Sequence, residues 1–253
     1  MFEGIKNRRI LVTGASSGIG AAIAELFSQY GALVGLHWRS NRNGVLKVME
    51  EVKRNSGKGE LFQGDLLDQK ARLGLIPAFV KKFGGIDVLI NNAGAGYEYK
   101  HFSELTEEEW QRMFDLHAKA PFFVARDAFP YMEKQKWGRI INISTVAIEH
   151  AGVYSMHYWG SKAALDALTR GFAREGAGHN ILVNSIRCGV IDTPMRTKMS
   201  GYDEERFKKR VGMIPLRRAG KPLDIARLAL FLASECGDYI TGEIFRVAGG
   251  DNL

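Results

Sequence analysis

Short runs rich in branched and aliphatic residues alternate along the chain with longer stretches whose apolar side chains recur every three or four positions. The short runs are Arg9 to Thr13, Leu33 to Trp38, Glu60 to Gln63, Val88 to Ile90, Ile140 to Ser144, Leu182 to Ile186 and Ile244 to Val247; they predict seven strands. The stretches Ala21 to Tyr30, Glu107 to Met132 and Ser161 to Ala177 carry the helical period. Strand and helix in alternation call for an α/β fold with a parallel sheet, because each parallel connection needs a crossover and the crossovers cover both faces. No linker, low-complexity tract or internal repeat divides the chain, so a single domain over residues 1–253 is expected. The stretch from Thr193 to Pro222 holds three of the six prolines and a basic cluster. It reads as a long irregular loop, and a loop of that length in a compact domain is usually functional; a substrate lid is expected there.

Composition narrows the partners. The net charge of +7 is spread along the sequence, and its densest cluster, Arg206, Lys208, Lys209 and Arg210, lies in an amphipathic stretch. This fits a solvated helix face, and no nucleic-acid partner is expected. Two cysteines far apart, Cys188 and Cys236, indicate neither a disulfide framework nor a thiolate metal site, and fit a reducing cytoplasm. Arg8 and Arg9 precede a mostly apolar run, but glycines, serines and Glu25 interrupt it, so it reads as strand, turn and helix instead of a leader. No apolar segment approaches the ~20 residues needed to span a bilayer, and no membrane association is expected.

The first strand runs into Gly14-Ala15-Ser16-Ser17-Gly18-Ile19-Gly20 and then a helix. Such a turn brings backbone N–H groups and a helix N-terminus close to a pyrophosphate. Its spacing differs from the common G-x-G-x-x-G fingerprint, so the turn by itself is also compatible with a purely structural role. The second strand ends in Trp38-Arg39-Ser40, where an NAD site would place an acid on the ribose hydroxyls. Arg39 offers a guanidinium to a 2′-phosphate instead, so NADP(H) is expected over NAD(H).

Further along lie Asn91-Asn92-Ala93-Gly94 and Tyr158-Trp159-Gly160-Ser161-Lys162. Tyr158 and Lys162, four residues apart, share one face of a helix. Thr13-Gly14-x-x-x-Gly18-Ile19-Gly20, Asn91-Asn92-Ala93-Gly94 and Tyr158-x-x-x-Lys162, in this order, closely resemble the short-chain dehydrogenase/reductase family over almost the whole chain. The resemblance implies a Rossmann-type doubly wound sheet of seven parallel strands, usually in a homotetramer, a dinucleotide across the strand ends, and tyrosine as general acid/base. It also implies an adenine contact at Asp65 and Leu66, an adenosine-ribose contact at Asn91, and carboxamide binding by Gly189, Ile191 and Thr193. Ala93 and Gly94 join the cofactor wall, and Lys162 holds the nicotinamide ribose. Tyrosine titrates near ~10, and reaching neutrality takes about 4 kcal/mol of preference for the phenolate. A cation at ~4 Å with an effective dielectric of ~20 supplies about that much, so Lys162 is expected to acidify Tyr158.

Three positions depart from the family pattern. Thr145 stands thirteen residues before Tyr158, where a serine is usual; it keeps the hydroxyl but adds a methyl. Its neighbour Ser144 should point to the opposite face of the strand. His117 takes the place of an asparagine that helps hold a relay water behind the lysine, and reads either as part of such a relay or as a packed histidine. Cys188 replaces a proline before Gly189. Tyr97, Tyr99, Tyr154, Met156, His157 and Trp159 either line an aromatic pocket or serve the core and subunit contacts. The expected activity is interconversion of a small ketone or aldehyde with its alcohol, on a 3-oxoacyl-like, sugar or biosynthetic-intermediate substrate. An NADP(H)-binding regulatory homologue with little activity is the alternative that the three departures suggest.

Overall fold

Residues Ile10, Leu11 and Val12 of the first strand are fully buried, which only a strand covered on both faces can achieve. Successive side chains divide between two layers. Ile10 and Val12 join Val34, Leu36, Val88 and Ile90 in one core, and Leu11 joins Leu89, Ile140 and Val183 in the other. The computed structural model describes residues 2–55, 57–96, 100–150, 154–197 and 203–251. Among these, seven strands form one sheet: β1 (Arg9–Val12), β2 (Leu33–Trp38), β3 (Lys58–Gln63), β4 (Val88–Asn91), β5 (Gly138–Thr145), β6 (Ile181–Cys188) and β7 (Ile244–Val247). Their order is β3-β2-β1-β4-β5-β6-β7, and every pairing is parallel. The predicted doubly wound sheet is therefore present.

The first core is covered by α1 (Gly18–Gln29), α2 (Arg42–Arg54) and α10 (Pro222–Ala233), which contribute Ile23 and Phe27, Val48 and Val52, and Leu230. The second is covered by α3 (Gln69–Phe83), α5 (Ala120–Gln135) and α7 (Met156–Gly176), through Ile76 and Phe79, Val124 and Met132, and Ala173. Local chemistry fixes the helix starts. Asp68 accepts from the Ala71 N–H, and Thr106 and Glu109 close a reciprocal box on α4 (Glu107–Phe114). Strand order reverses between β1 and β4, so the carboxyl ends of these two strands splay apart and open a crevice there.

Two expectations need correction. The helix predicted from Glu107 to Met132 is not uniform: α4 passes through one wide π-helical turn, Asp115–Lys119, before α5. Such turns shift the helical register, so apolar spacing alone cannot reveal them. The stretch read as an irregular lid contains α8 (Pro194–Thr197) and α9 (Glu204–Met213), the latter capped by Asp203, whose side chain accepts from the Arg206 N–H. Its prolines mark helix starts and breaks, not an absence of structure. As expected, Arg206, Lys208 and Lys209 lie exposed on α9.

Candidate active site

The crevice is a cleft of about 720 Å³. One wall grows from the turn after β1. Gly14 has φ +67°, and a Cβ there would lie 2.8 Å from the Ala93 Cα. Gly20 sits under the same turn, where a Cβ would come within 2.5 Å of the Gly14 carbonyl oxygen. Only glycine allows these two segments of backbone to approach so closely. Thr13 and Asn92 fasten the β1 turn to the β4 turn. The Thr13 Oγ1 accepts from the backbone N–H groups of Asn92 (2.9 Å) and Ala93 (3.0 Å) and donates to the Ile90 carbonyl (3.1 Å). The Asn92 Nδ2 donates to the Thr13 carbonyl at 2.8 Å. Ser17 precedes α1 in extended backbone and its side chain does not cap the helix, leaving a helix N-terminus facing the cleft.

One end of the cleft is closed by the ends of β2 and β3. The His37 Nδ1 accepts from the Gly14 N–H at 3.3 Å, while its carbonyl accepts from Ala15 at 2.8 Å. Burial pushes this imidazole down to about 4, so it is neutral and its lone pair is free to hold the turn. Arg39 lies 3.6 Å from Asp65, and both are partly exposed at the cleft rim. Ser40 and Leu66 line the same end. These features suit a dinucleotide: a glycine cradle that side chains would fill, an uncapped helix start that a pyrophosphate could approach, and a guanidinium that a phosphate could meet.

The opposite end is built from side chains. Tyr158 and Lys162 stand one turn apart on α7, Thr145 closes β5, and all three line the cleft. The Lys162 Nζ donates to the Ile143 carbonyl at 2.7 Å, and burial brings its ammonium down to about 8. The Thr145 side chain hydrogen-bonds the Tyr158 phenol, and its Oγ1 also accepts from the Ala147 N–H at 3.2 Å. The expectation of an acidified phenol is not met in this arrangement. Burial raises Tyr158 above its ordinary value, and the Thr145 hydrogen bond offsets only part of this. A low-dielectric wall penalises the phenolate as it penalises the ammonium. Cys188 is itself pushed up to about 12 by burial, so it is a neutral thiol.

His117 sits in the π-helical turn and is buried. Its Nε2 accepts from the Ala95 N–H at 3.2 Å and its Nδ1 lies 3.1 Å from the Ser161 Oγ. Gly189, Ile191 and Thr193 line the cleft beyond β6, where a Cβ on Gly189 would come 2.7 Å from the Ala248 Cα.

Of the residues predicted for the site, Gly14, Ser16, Ser17, Gly18, Ile19, Arg39, Ser40, Asp65, Leu66, Ala93, Gly94, His117, Thr145, Tyr158, Lys162, Gly189, Ile191 and Thr193 are brought together around the cleft. Thr13, Gly20 and Asn91 are not among its lining. Thr13 and Gly20 support the turn from beneath, and the Asn91 Nδ2 donates at 2.9 Å to the buried Asn142 side chain. Its neighbour Asn92 borders the cleft in its place. Ser144, expected to face away, also borders the cleft, because β5 ends there and both residues meet the opening; its hydroxyl is buried. The aromatic pocket is not formed by Tyr154, Met156, His157 or Trp159, none of which lines the cleft; Tyr97 and Tyr99 lie outside the described residues. Leu116 and Met195 add to the apolar lining. Sequence reasoning missed them, together with His37, because nothing in local spacing aims them at the site.

The model for a family described as enoyl-(acyl carrier protein) reductase matches residues 14–252. A 3-oxoacyl-[acyl-carrier-protein] reductase of Thermotoga maritima is 34% identical over 246 residues, covering 97% of this chain and 98% of that protein. An acetoin dehydrogenase of Salmonella typhimurium superposes with a TM-score of 0.87 at 32% identity, covering 96% of this chain and 95% of that one. A blue fluorescent protein from a metagenomic library, solved in complex with NADPH, superposes with a TM-score of 0.90 at 30% identity, covering 99% of this chain and 100% of that one. Sheet order, glycine-rich turn, Tyr158/Lys162 pair and near full-length similarity agree: the chain belongs to the short-chain dehydrogenase/reductase family of oxidoreductases.

Proposed function

We propose that this protein is an NADP(H)-dependent reductase or dehydrogenase that interconverts a small ketone or aldehyde with the corresponding alcohol. One observation carries the reading: Tyr158, Lys162 and Thr145 converge at one end of a cleft whose other end presents Arg39. A bound nicotinamide supplies the hydride in reduction and takes it in oxidation. Gly14, Ser16, Gly18 and Ile19 hold the pyrophosphate, Arg39 and Ser40 the 2′-phosphate, Asp65 and Leu66 the adenine, and Gly189, Ile191 and Thr193 the carboxamide. Thr145 hydrogen-bonds the carbonyl oxygen of the substrate. Tyr158, whose burial keeps the phenol protonated, gives its proton to that oxygen as the alcohol forms, and Lys162 stabilises the phenolate left behind. Oxidation reverses the same transfers.

Similarity to an acyl-carrier reductase and to an acetoin dehydrogenase supports a carbonyl substrate and leaves its class between 3-oxoacyl thioesters, sugars and other biosynthetic intermediates. The apolar Leu116 and Met195 favour an uncharged reacting end. Exposed Trp110 on α4, Phe122 on α5, Tyr154 just before α7 and Met156 at its start support subunit contacts, for which a homotetramer is the assembly proposed. Two free cysteines suit a reducing cytoplasm, and among the described residues no helix is long and apolar enough to cross a membrane.

The test is NADPH and NADH consumption against a panel of ketones, 3-oxoacyl thioesters and keto-sugars, alongside cofactor binding by fluorescence. Turnover with NADPH well above NADH is expected. NADPH binding without turnover of any carbonyl overturns the catalytic reading, and equal efficiency with NADH overturns the cofactor preference.

A further inference from the structure

Two hydrogen bonds fix the state of His117. The Ala95 N–H can only donate, so the Nε2 that receives it at 3.2 Å carries a lone pair. On the other side of the ring, the Ser161 hydroxyl spends its own proton on the Tyr158 carbonyl at 2.8 Å. It therefore accepts from His117, and the Nδ1 that lies 3.1 Å away is the protonated nitrogen. Both ring nitrogens are thus occupied, one by the segment after β4 and one by the helix that carries Tyr158 and Lys162. The imidazole also packs edge-on against the Tyr158 ring, with centroids 5.3 Å apart and planes at 87°. A Cβ on Gly94 would come 3.2 Å from the Nε2, so the loop lies tightly over this edge of the ring.

We propose that His117 is a positioning residue, a neutral Nδ1–H imidazole that clamps the loop after β4 to the Tyr158 helix and so sets the width of the reacting end of the cleft. The wide π-helical turn is what carries the ring between these two elements. A proton carrier needs a nitrogen free to exchange with solvent or a reacting group, and here neither nitrogen is free. A second charge would also be unfavourable at this place. The ring is buried, and Lys162 and His157 both push its protonation down, with burial the larger cause. The clamp is reciprocal: it orients Ser161 and Tyr158 from below while it holds the Ala95 amide against the cleft.

The clamp is tested without any substrate by nitrogen-15 correlation NMR of the full chain. A single Nδ1–H tautomer for His117 is expected, unchanged from about pH 5.5 to 8 although free histidine titrates near ~6.5. An Nε2–H tautomer, or titration within that range, overturns the proposal.

Kinetics provide the second arm and rest on the proposed reductase activity. His117→Phe keeps the ring volume but loses both bonds, and should lower kcat about tenfold or more while leaving the NADPH Kd within about threefold, as expected for misplacement of reacting groups. His117→Gln, whose amide can still accept from Ala95, should recover part of that loss. Added imidazole should not restore His117→Phe. Restoration by imidazole, or wild-type kcat in His117→Phe, overturns the clamp. A wild-type protein that turns over no carbonyl refutes the proposed activity instead, and leaves the NMR result standing as the test of the clamp.

Discussion

At the end of the cleft that bears Arg39, the walls are mainly backbone: Gly14 and Gly20 allow turns to close on one another, Thr13 and Asn92 tie main chain to main chain, and the uncapped start of α1 faces the opening. At the end that bears Tyr158 the walls include buried polar side chains, of which Tyr158, Lys162 and Cys188 are displaced from their ordinary titration by burial. The first kind of wall recognises charge and shape and tolerates little added volume. The second kind is set by dielectric and hydrogen bonding, so small chemical changes there alter reactivity without disturbing the fold. Substitutions at the two ends should therefore fail differently: binding and folding are lost at one, turnover at the other.

The sharpest separation comes from Tyr158→Phe, which removes one hydroxyl and should lower turnover by about a thousandfold, within the range for loss of a general acid, while fluorescence still reports NADPH binding. Retained turnover would remove Tyr158 from the chemistry. Arg39→Leu should act in the opposite sense, weakening NADPH by roughly 10- to 100-fold as a charged hydrogen bond is lost, with NADH affinity and kcat at saturating cofactor little changed. Gly20→Ala forces a Cβ to within 2.5 Å of the Gly14 carbonyl oxygen. A cost of about 1 to 3 kcal/mol is expected for such overpacking, read as a lower Tm and a higher NADPH Kd together. Thr145→Ala should reduce kcat about tenfold for one lost hydrogen bond, and Thr145→Ser should not; equal activity in both would show that the hydroxyl does not meet the substrate.

One effect is on stability and not on turnover. Lys162 is lowered from 10.5 to about 8 in the fold, so the folded chain binds fewer protons than the unfolded chain between those values and stability rises with pH across that window. Below about 8 the cost of holding the ammonium is fully present, about 3 kcal/mol by the size of the displacement. Lys162→Met should accordingly raise Tm at pH 7, and the gain should shrink as pH rises from about 8 to 10.5. A lower Tm at pH 7 would mean that the hydrogen bond to the Ile143 carbonyl outweighs the burial of charge.

The differences in construction also explain what could be read in advance. Backbone walls leave marks in order and spacing, because close approach demands glycine at fixed places and a parallel crossover demands strand then helix; the turn, the strand alternation and the one-turn spacing of Tyr158 and Lys162 were all legible. Asn91 and Asn92 are adjacent, and the sequence offers no reason to send one into the core and the other to the cleft. The strand geometry decides it, burying Asn91 against Asn142 and leaving Asn92 to bind the Thr13 carbonyl.

Local periodicity and steric need were enough to read a parallel α/β sheet covered on both faces and the place of the glycine turn, while the doubly wound order and the joint role of Tyr158 and Lys162 came from the resemblance of the combined motifs to a known family. The direction in which Tyr158 is displaced, the neutral states of His37 and Cys188, and the two-sided hold on His117 arise from packing between distant segments. Titration and hydrogen bonding depend on which groups from distant parts of the chain are packed around an atom, and on how much water that packing removes.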